Sequence, residues 1–252
     1  SYPLAEPSIL VLLLLASPSA AQDLYDETVL REVRLDFQQS NWWSLLEGNY
    51  GTGVDIEADM TVDGVVYPDV GVRFKGNTSF TRPNTQKKSF NIKTDAFVPG
   101  QDLMGYSTLN FNNAYMDPSF MREALFSKVC RSFTTAARGN FIHLIINGEN
   151  WGVYPNIQQL NADFLESNYP TDTGDRFKVP SARRWPGNAS LNWLGTNVAS
   201  YQPWYELKSE DPAAYDRLVE ICDTLNNTLP GSGYLAAVDA ELAVDRALWT
   251  LA

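Results

Sequence analysis

The fold of this chain is decided by residues 70–93, VGVRFKGNTSFTRPNTQKKSFNIK. Residues 70–75 alternate between apolar and small or charged side chains, and residues 88–93 repeat the alternation. A period of two is typical of a strand that buries one face. The intervening residues 76–79, GNTS, are typical of a turn. We therefore predict two neighbouring strands whose apolar faces share one core.

Further strands are predicted on both sides of this stretch. Upstream, residues 54–62 alternate in the same way and end at an Asp-Gly pair at 63–64, a strong signal for a two-residue hairpin. Downstream, residues 109–111 predict a short strand and residues 141–157 predict a hairpin. The first strand of that hairpin is almost wholly apolar, so we expect it to be buried on both faces.

A helix is predicted to begin at Asp117. Aspartate is a preferred N-cap residue, and Pro118 fits the first helical position. Met121, Leu125 and Val129 recur at four-residue spacing, so we expect one apolar stripe of this helix to face the core.

The second half of the chain has a helical pattern. We predict a short helix at 163–168, an exposed loop at 183–195, a helix after the Asp-Pro pair at 211–212, and a last helix at 235–252. Strands and helices are thus segregated along the chain, which predicts an α+β fold. The last helix has no stop signal, which indicates an incomplete sequence.

The N-terminal segment is interpreted as a secretory signal. Residues 9–16 form a short apolar run, and residues 17–21 supply the small side chains of a cleavage site. The run is too short to cross a bilayer, and no other segment is expected to do so. We therefore divide the chain into a signal segment at 1–21 and one domain at 22–252, and expect a secreted or cell-surface protein.

The composition argues against several kinds of site. A formal charge of −11 and a pI near 4.5 argue against nonspecific nucleic-acid binding, which depends on Lys and Arg neutralising phosphates. The single histidine excludes a cage of His ligands. Cys130 and Cys222 are compatible either with a disulfide in an exported protein or with free buried thiols.

The turn at 76–79 is the first candidate for chemistry. Backbone N–H groups in such a turn, with a lysine nearby, can cradle phosphate oxygens. Phosphoryl transfer depends mostly on positioning and charge stabilisation at sites of this kind. The alternative is a plain hairpin with solvated lysines. The candidate nucleotide-binding residues are Arg73, Lys75, Gly76, Asn77, Thr78 and Ser79.

Lys88 is the second candidate. The alternation places it on the face of Phe90 and Ile92, where an unpaired ammonium is costly. Glu123, near the start of the predicted helix, is a possible partner, and kinases hold nucleotide phosphates with a strand lysine paired to a helix glutamate. We assign Lys88 and Glu123 as catalytic candidates. The alternative is that Lys88 lies at the strand end and reaches water.

Other notable residues are assigned structural roles. His143 lies inside an apolar strand, which predicts a hydrogen-bonded structural histidine. Asp172 and Asp175 lack the further oxygen ligands that a calcium loop needs. Trp42 and Trp43 are expected to fill the core, with stacking on a sugar or a partner as the alternative. No metal site is assigned to the sequence.

Five segments carry a family resemblance. They are residues 70–79, 87–93, 109–113, 117–123 and 146–154. The most specific part is the succession of RxKGN, KKSF and INGExxGxY. In this order the segments resemble the CotH family of spore-coat-type atypical protein kinases, over roughly residues 54–165.

The resemblance implies a secreted or surface-associated protein with a divergent kinase-like fold, in which a strand-rich lobe precedes an incomplete helical lobe. It also implies transfer of phosphate from Mg-ATP to Ser or Thr of partner proteins. In such an enzyme the turn at 76–79 would cover the phosphates and Lys88 would pair with them, supported by Glu123. Residues 145–158 would lie near adenine.

The chain departs from the family pattern in two places. Gln158 and Asn161 stand where many members carry Glu and Asp. The catalytic Asp and the metal-binding Asp and Asn of the family lie beyond the position of Ala252, so we expect neither Mg²⁺ ligands nor activity in this chain. Two alternatives stay open: a non-catalytic extracellular interaction module on the same scaffold, and a secreted hydrolase that uses acidic residues.

Overall fold

Seven strands close into a barrel in the computed structural model, which describes residues 23–83, 85–170, 174–180, 189–229, 231 and 233–241. The strands are β1 (Arg31–Asp36), β2 (Ile56–Val62), β3 (Val65–Lys75), β4 (Ser89–Lys93), β5 (Thr108–Phe111), β6 (Gly139–Ile146) and β7 (Glu149–Ile157). Around the barrel their order is β1-β2-β3-β4-β5-β7-β6. Neighbours are antiparallel except for β1 and β6, whose parallel pairing closes the barrel.

Three of the described helices lie between barrel strands in the chain, and three follow the last barrel strand. They are α1 (Trp42–Gly48), α2 (Thr78–Thr81), α3 (Arg122–Cys130), α4 (Ala162–Asn168), α5 (Ala214–Asn227) and α6 (Tyr234–Glu241). A short antiparallel pair, β8 (Phe177–Lys178) and β9 (Glu206–Leu207), lies between α4 and α5 in the chain. The α+β prediction is confirmed, whereas the closure of the sheet into a barrel was not predicted.

The hairpin between β2 and β3 forms as predicted. Asp63 and Gly64 have φ of +48° and +86°, and Val62 pairs with Val65 across the turn. Positive φ at both central residues defines the hairpin turn whose twist matches that of the strands, and Asp-Gly adopts it readily.

Alternation along the strands separates a core inside the barrel from a polar outer face. Val72 and Ile92 lie opposite each other and are fully buried in the core. Arg73, Asn91 and Asn110 lie opposite one another on the other face of the same strands. Asn91 and Asn110 are only 5% and 3% exposed. Other elements therefore cover this polar band, and the candidate site is built on it.

The expectation that the first strand of the β6–β7 hairpin is buried on both faces is wrong. Ile142 and Leu144 are buried inside the barrel, whereas Phe141 and His143, which alternate with them, are half-buried. The barrel encloses only one face of the strand, and apolar residues on the other face keep partial contact with water.

Helix α3 begins later than the sequence predicts. The Asp117 carboxylate accepts hydrogen bonds from the N–H groups of Ser119, at 3.1 Å, and Arg122, at 2.8 Å. Phe120 has a φ of +63°, a left-handed conformation that a right-handed helix cannot include. Asp117 is therefore not the N-cap and Pro118 is not the first helical residue. The helix starts at Arg122.

The apolar stripe of α3 faces solvent, so the predicted orientation of this helix is wrong. Met121, Leu125 and Val129 are 44%, 48% and 59% exposed. Ala124 is buried instead, and a Cβ on Gly139 of β6 would lie 3.7 Å from its Cα. The side of α3 that packs on the barrel therefore carries the small residues Ala124 and Ser127, and the larger apolar residues lie on the exposed side.

The second half of the chain has a small core of its own. Tyr201, Tyr205, Leu218 and Cys222 are buried together, the last two on α5, the helix predicted after the Asp-Pro pair at 211–212. Cys222 and the half-buried Cys130 of α3 are both free thiols. The open question of a disulfide between them is thereby answered for this structure.

Several predictions fall outside the described residues. They concern the signal segment at 1–21, Asp172, the loop at 183–188 and the helix beyond residue 241. Among the residues that are described, no helix is both long enough and apolar enough to span a membrane.

Candidate functional site

Two adjoining cavities lie against the polar band of the barrel. The first, here called the turn cavity, has a volume of about 620 Å³ and is lined by the 76–79 turn and the loop at 112–117. The second, the basic cavity, has a volume of about 730 Å³ and is lined by Arg73 and residues 157–161. Both volumes are in the range of small-ligand sites. Lys75, Asn112 and Glu123 line both cavities, so the two form one continuous cleft.

Lys75 lies at the centre of this cleft. It is the last residue of β3, and the strand alternation turns it to the outer face of the barrel. Its Nζ donates to Oδ1 of Asn110 at 2.9 Å. Burial lowers the pKa of Lys75 to about 8, the Glu123 carboxylate partly opposes that shift, and the Lys178 ammonium adds to it. The ammonium is therefore desolvated and only partly compensated within the protein.

Asn110 connects Lys75 to the segment that follows β7. Its Oδ1 also accepts from Asn91 at 3.0 Å, and its Nδ2 donates to Gln159 Oε1 at 2.8 Å and to the Ile157 carbonyl at 3.3 Å. All four side-chain and backbone partners are buried or half-buried. This amide network fixes the position of the lysine relative to residues 157–161.

Glu123 lies in the first turn of α3 and faces the same cleft. Its Oε2 accepts from Nδ2 of Asn112 at 2.8 Å. Its carboxylate opposes part of the effect of burial on the pKa of Lys75. Among the described residues the two side chains line the same cleft but form no ion pair. The helix glutamate of the sequence prediction is therefore present in the cleft, and the lysine that it faces is Lys75.

The predicted pairing of Lys88 with Glu123 is wrong. Lys88 Nζ donates to the backbone carbonyls of Phe80, at 2.8 Å, and Pro83, at 3.1 Å, and lies 4.9 Å from the Phe80 ring centroid. Among the described residues, no ion pair links it to Glu123. The sequence correctly indicated that this buried ammonium needs partners, but two carbonyls of its own loop supply them.

The neighbouring Lys87 has a similar structural role. Its Nζ donates to the carbonyl of Val153 at 2.9 Å and lies 4.0 Å from the Tyr154 ring centroid, and burial lowers its pKa. Asn113 donates from Nδ2 to the carbonyls of Ser79 and Lys87, at 3.0 and 2.9 Å. Lys87 thus ties the loop between β3 and β4 to β7, and Lys88 ties two parts of the same loop together.

The 76–79 turn borders the cleft and is partly helical. Gly76, Thr78 and Ser79 line the turn cavity. Asn77 is the residue before α2, and Arg73 lies in the basic cavity. Arg73 is already paired with Asp55 at 2.9 Å, outside the turn.

Gly76 is required by both the conformation and the space of this turn. It has a φ of +99°, and a Cβ at this position would lie 2.2 Å from Ser79 Oγ. The Tyr50 hydroxyl donates to the Gly76 carbonyl at 2.6 Å and holds the turn from the other side. A side chain at Gly76 would therefore force the Ser79 hydroxyl to rotate within the cleft.

Replacing Gly76 with Ala is expected to weaken binding of a ligand in the cleft on the order of fivefold, about 1 kcal/mol. Gly64→Ala is the matched control, since Gly64 has a φ of +86° but open space around its Cβ position. Both variants carry the cost of a left-handed residue, on the order of 1–2 kcal/mol of stability. Calorimetric titration with ATP separates them, and equal affinities would show that the turn does not touch the ligand.

The remaining sequence candidates lie away from the cleft. His143 Nε2 is 2.9 Å from Asn150 Oδ1 on the outer face of β6. Trp42 and Trp43 pack against the barrel core, as predicted, and contact the ring of Trp151. Within the described residues, no group of three or more His, Cys, Asp or Glu is placed to hold a metal ion.

Three functional candidates were missed by the sequence analysis. Arg176, Lys178 and Lys208 line the basic cavity, and they come from β8 and the residues that flank it and β9. They belong to no motif, and Lys208 follows the other two at a distance of about thirty residues in a segment with weak periodicity. No local pattern could have brought them together.

One comparison with known proteins gives a match. A family model described as CotH kinase protein matches residues 72–251, which include Lys75, Glu123 and the cations of the basic cavity. A search of curated proteins finds no match to the chain.

Proposed function

This chain belongs to the CotH kinase protein family, and we propose that it is a secreted atypical protein kinase that transfers phosphate from Mg-ATP to Ser or Thr of partner proteins outside the cytoplasm. The nucleotide is proposed to bind in the cleft formed by the turn cavity and the basic cavity. In this proposal the strand-rich barrel corresponds to the first lobe of a divergent kinase-like fold, and the helical second half corresponds to part of the second lobe.

One observation carries the proposal. A strand lysine, Lys75, and a helix glutamate, Glu123, line the same cleft, and the glutamate partly offsets the depressed pKa of the lysine. Protein kinases use a strand lysine and a helix glutamate to hold nucleotide phosphates in place. Catalysis of phosphoryl transfer consists mostly of such positioning and charge stabilisation.

The residues of the cleft would divide this work. Lys75 would donate charged hydrogen bonds to phosphate oxygens, which are roughly twice as strong as neutral ones. Asn110 would keep the lysine in place, because it accepts from Nζ on one side and donates to Gln159 on the other. Residues 157–161 would form the far wall of the basic cavity.

Magnesium would neutralise charge between the phosphates when it is bound with ATP. The described residues do not fit a magnesium site, because both carboxylates that line the cleft are already engaged. Glu123 accepts from Asn112, and Asp117 accepts from Ser119 and is paired with Arg122. A Mg²⁺ ion held by protein needs one or two free carboxylates beside the phosphates.

Two measurements test the proposal. Calorimetric titration of the chain with ATP is expected to give one site, with adenosine binding more weakly because it lacks the phosphates. Incubation of the full-length protein with γ-labelled ATP and Ser- or Thr-containing acceptor peptides is expected to label the hydroxyl residues. A folded chain that does not bind ATP would contradict the proposal.

A second candidate function is a non-catalytic interaction module outside the cell. The observation that favours it is the exposed apolar row on α3, where Phe126 is 69% exposed in addition to Leu125 and Val129. Apolar side chains clustered on a surface are typical of protein contacts. The ATP titration distinguishes the two functions, since an interaction module does not require a nucleotide.

A further inference from the structure

The basic cavity has a charge opposite to that of the chain. Its described lining includes five cationic side chains and one carboxylate, Glu123, whereas the chain has a formal charge of −11. The cationic residues are Arg73, Lys75, Arg176, Lys178 and Lys208. A cavity lined by positive side chains attracts an anionic ligand even when the protein as a whole is negatively charged.

Three of these cations are held together by the short β8–β9 pair. Lys208 N–H donates to the Arg176 carbonyl at 2.7 Å, and Arg176 Nη2 donates to the Lys208 carbonyl at 3.1 Å. Lys178 lies in β8, where its backbone pairs with Glu206. The second half of the chain therefore presents these cations to the outer face of the barrel from a fixed backbone.

The charges of this group are incompletely compensated. Lys208 is ion-paired with Glu206, and the same carboxylate interacts electrostatically with Lys178, which forms no ion pair of its own among the described residues. Nη1 of Arg176 is buried and has no hydrogen-bond partner in the described part of the chain. Lys178 is also close enough to Lys75 to lower its pKa, so two ammonium groups repel each other across the cavity. A bound anion would remove both costs.

We infer that the basic cavity is a polyphosphate subsite, in which Lys75, Lys178 and Arg176 together bind two or more linked phosphate groups. The inference rests on the proposed function, because the natural source of such a group there is the phosphate chain of the nucleotide. Linked phosphates match the site better than a single one, since the cations are spread from the end of β3 to β8.

The neighbouring turn cavity lacks this excess of charge. Its described charged lining consists of Lys75 and Arg122 on the cationic side and Asp117 and Glu123 on the anionic side. The phosphate chain therefore lies towards the β8–β9 pair rather than beneath the 76–79 turn. This placement differs from the one that the family resemblance implied for the nucleotide.

Calorimetric titration with inorganic tripolyphosphate tests the subsite without a base and without catalysis. Tripolyphosphate is expected to bind at low ionic strength and orthophosphate at least tenfold more weakly, since each further phosphate adds charged hydrogen bonds. Lys178→Met is expected to weaken tripolyphosphate binding about tenfold, and Lys178→Glu more. Lys178 is exposed, so neither variant threatens the fold. Lys93→Met is the control, because Lys93 lies on β4 outside both cavities and contacts Asp55.

The outcomes separate this inference from the proposed function. Tripolyphosphate binding that depends on Lys178, without binding of ATP, would support the subsite and contradict the kinase. ATP binding that is unchanged by Lys178→Met would support the kinase and overturn the subsite. Absence of tripolyphosphate binding, or equal losses in the Lys178 and Lys93 variants, would also overturn it. Parallel losses for ATP and tripolyphosphate would identify the nucleotide as the source of the phosphates.

Discussion

Replacing Lys75 with Met is expected to weaken ATP binding by about tenfold to a hundredfold, whereas Lys88→Met is expected to change it by less than about threefold. The range expected for Lys75→Met corresponds to the loss of a charged hydrogen bond, about 1.5–3 kcal/mol, at about 1.4 kcal/mol for each factor of ten in affinity. Both substitutions remove one ammonium and keep the length and apolar stem of the side chain. Calorimetric titration with ATP at one pH and one salt concentration compares them directly.

The difference follows from the partners of the two lysines. Lys75 lines both cavities and, in the described part of the chain, donates to one acceptor, Asn110, so an ammonium with three N–H groups keeps donors for a ligand. Lys88 already donates to the carbonyls of Phe80 and Pro83 and lines neither cavity. Its ammonium is committed to the loop.

For the stability of the folded protein, we expect Lys88→Met to have the larger effect and Lys75→Met the smaller one. Lys88→Met leaves two carbonyls without their donor, which costs about 1–3 kcal/mol and should lower the melting temperature by several degrees. Lys75→Met removes a desolvated charge from a buried position and should not lower it. Equal ATP affinities for the two variants would remove Lys75 from the binding site. A loss confined to Lys88→Met would restore the role that the sequence assigned to Lys88.

The sequence determined the strands well because their signal is local. Residues 54–62 and 70–75 alternate within a few positions, and the Asp-Gly pair between them requires positive φ. The core inside the barrel follows from the same alternation. Closure of the barrel does not, since it depends on the parallel pairing of β1 with β6, more than one hundred residues apart in the chain.

The orientation of α3 was mispredicted because hydropathy was the only guide. Leu125 and Val129 are apolar and regularly spaced, so hydropathy alone predicts that they lie on the buried face of the helix. The packing instead buries Ala124 and Ser127 and brings Ala124 next to Gly139 of β6. Periodicity does not report such a distance.

Two candidates named from the sequence, Lys75 and Glu123, line one cleft in the structure, whereas Lys88, the lysine chosen to pair with Glu123, does not. The assignment of phosphate binding to that cleft stays a prediction. Choosing Lys88 required knowing which lysine has backbone carbonyls within reach, and those of Phe80 and Pro83 are positioned by the fold of the loop. The cations of the basic cavity are set by contacts between distant segments, so no motif could reveal them.

Binding of ATP is expected to weaken as pH rises above about 8, by about tenfold for each pH unit until the pKa of the bound lysine is reached. Burial lowers the pKa of Lys75 from 10.5 to about 8, so the free protein loses this proton in a range where ordinary lysines keep theirs. A bound anion favours the charged form of Lys75 and so raises its pKa. Between the pKa of the free protein and the higher pKa of the complex, binding requires Lys75 to take up a proton, and the affinity therefore falls as pH rises. The terminal phosphate loses its last proton near pH 6 and contributes no titration in this range.

The same shift has the opposite sign for the stability of the unliganded protein. Between pH 8 and 10.5 the unfolded chain keeps the Lys75 proton and the folded chain loses it. The contribution of Lys75 to the free energy of unfolding therefore rises with pH across this window, by at most about 1.4 kcal/mol for each pH unit. Denaturant unfolding of the wild type and of Lys75→Met at pH 7.5, 9 and 10 isolates this contribution, because the other titrating groups are common to both proteins. Affinity that falls while this difference rises is the joint signature of one desolvated lysine that binds the anion, and a parallel pH dependence in Lys75→Met would assign the titration to another group.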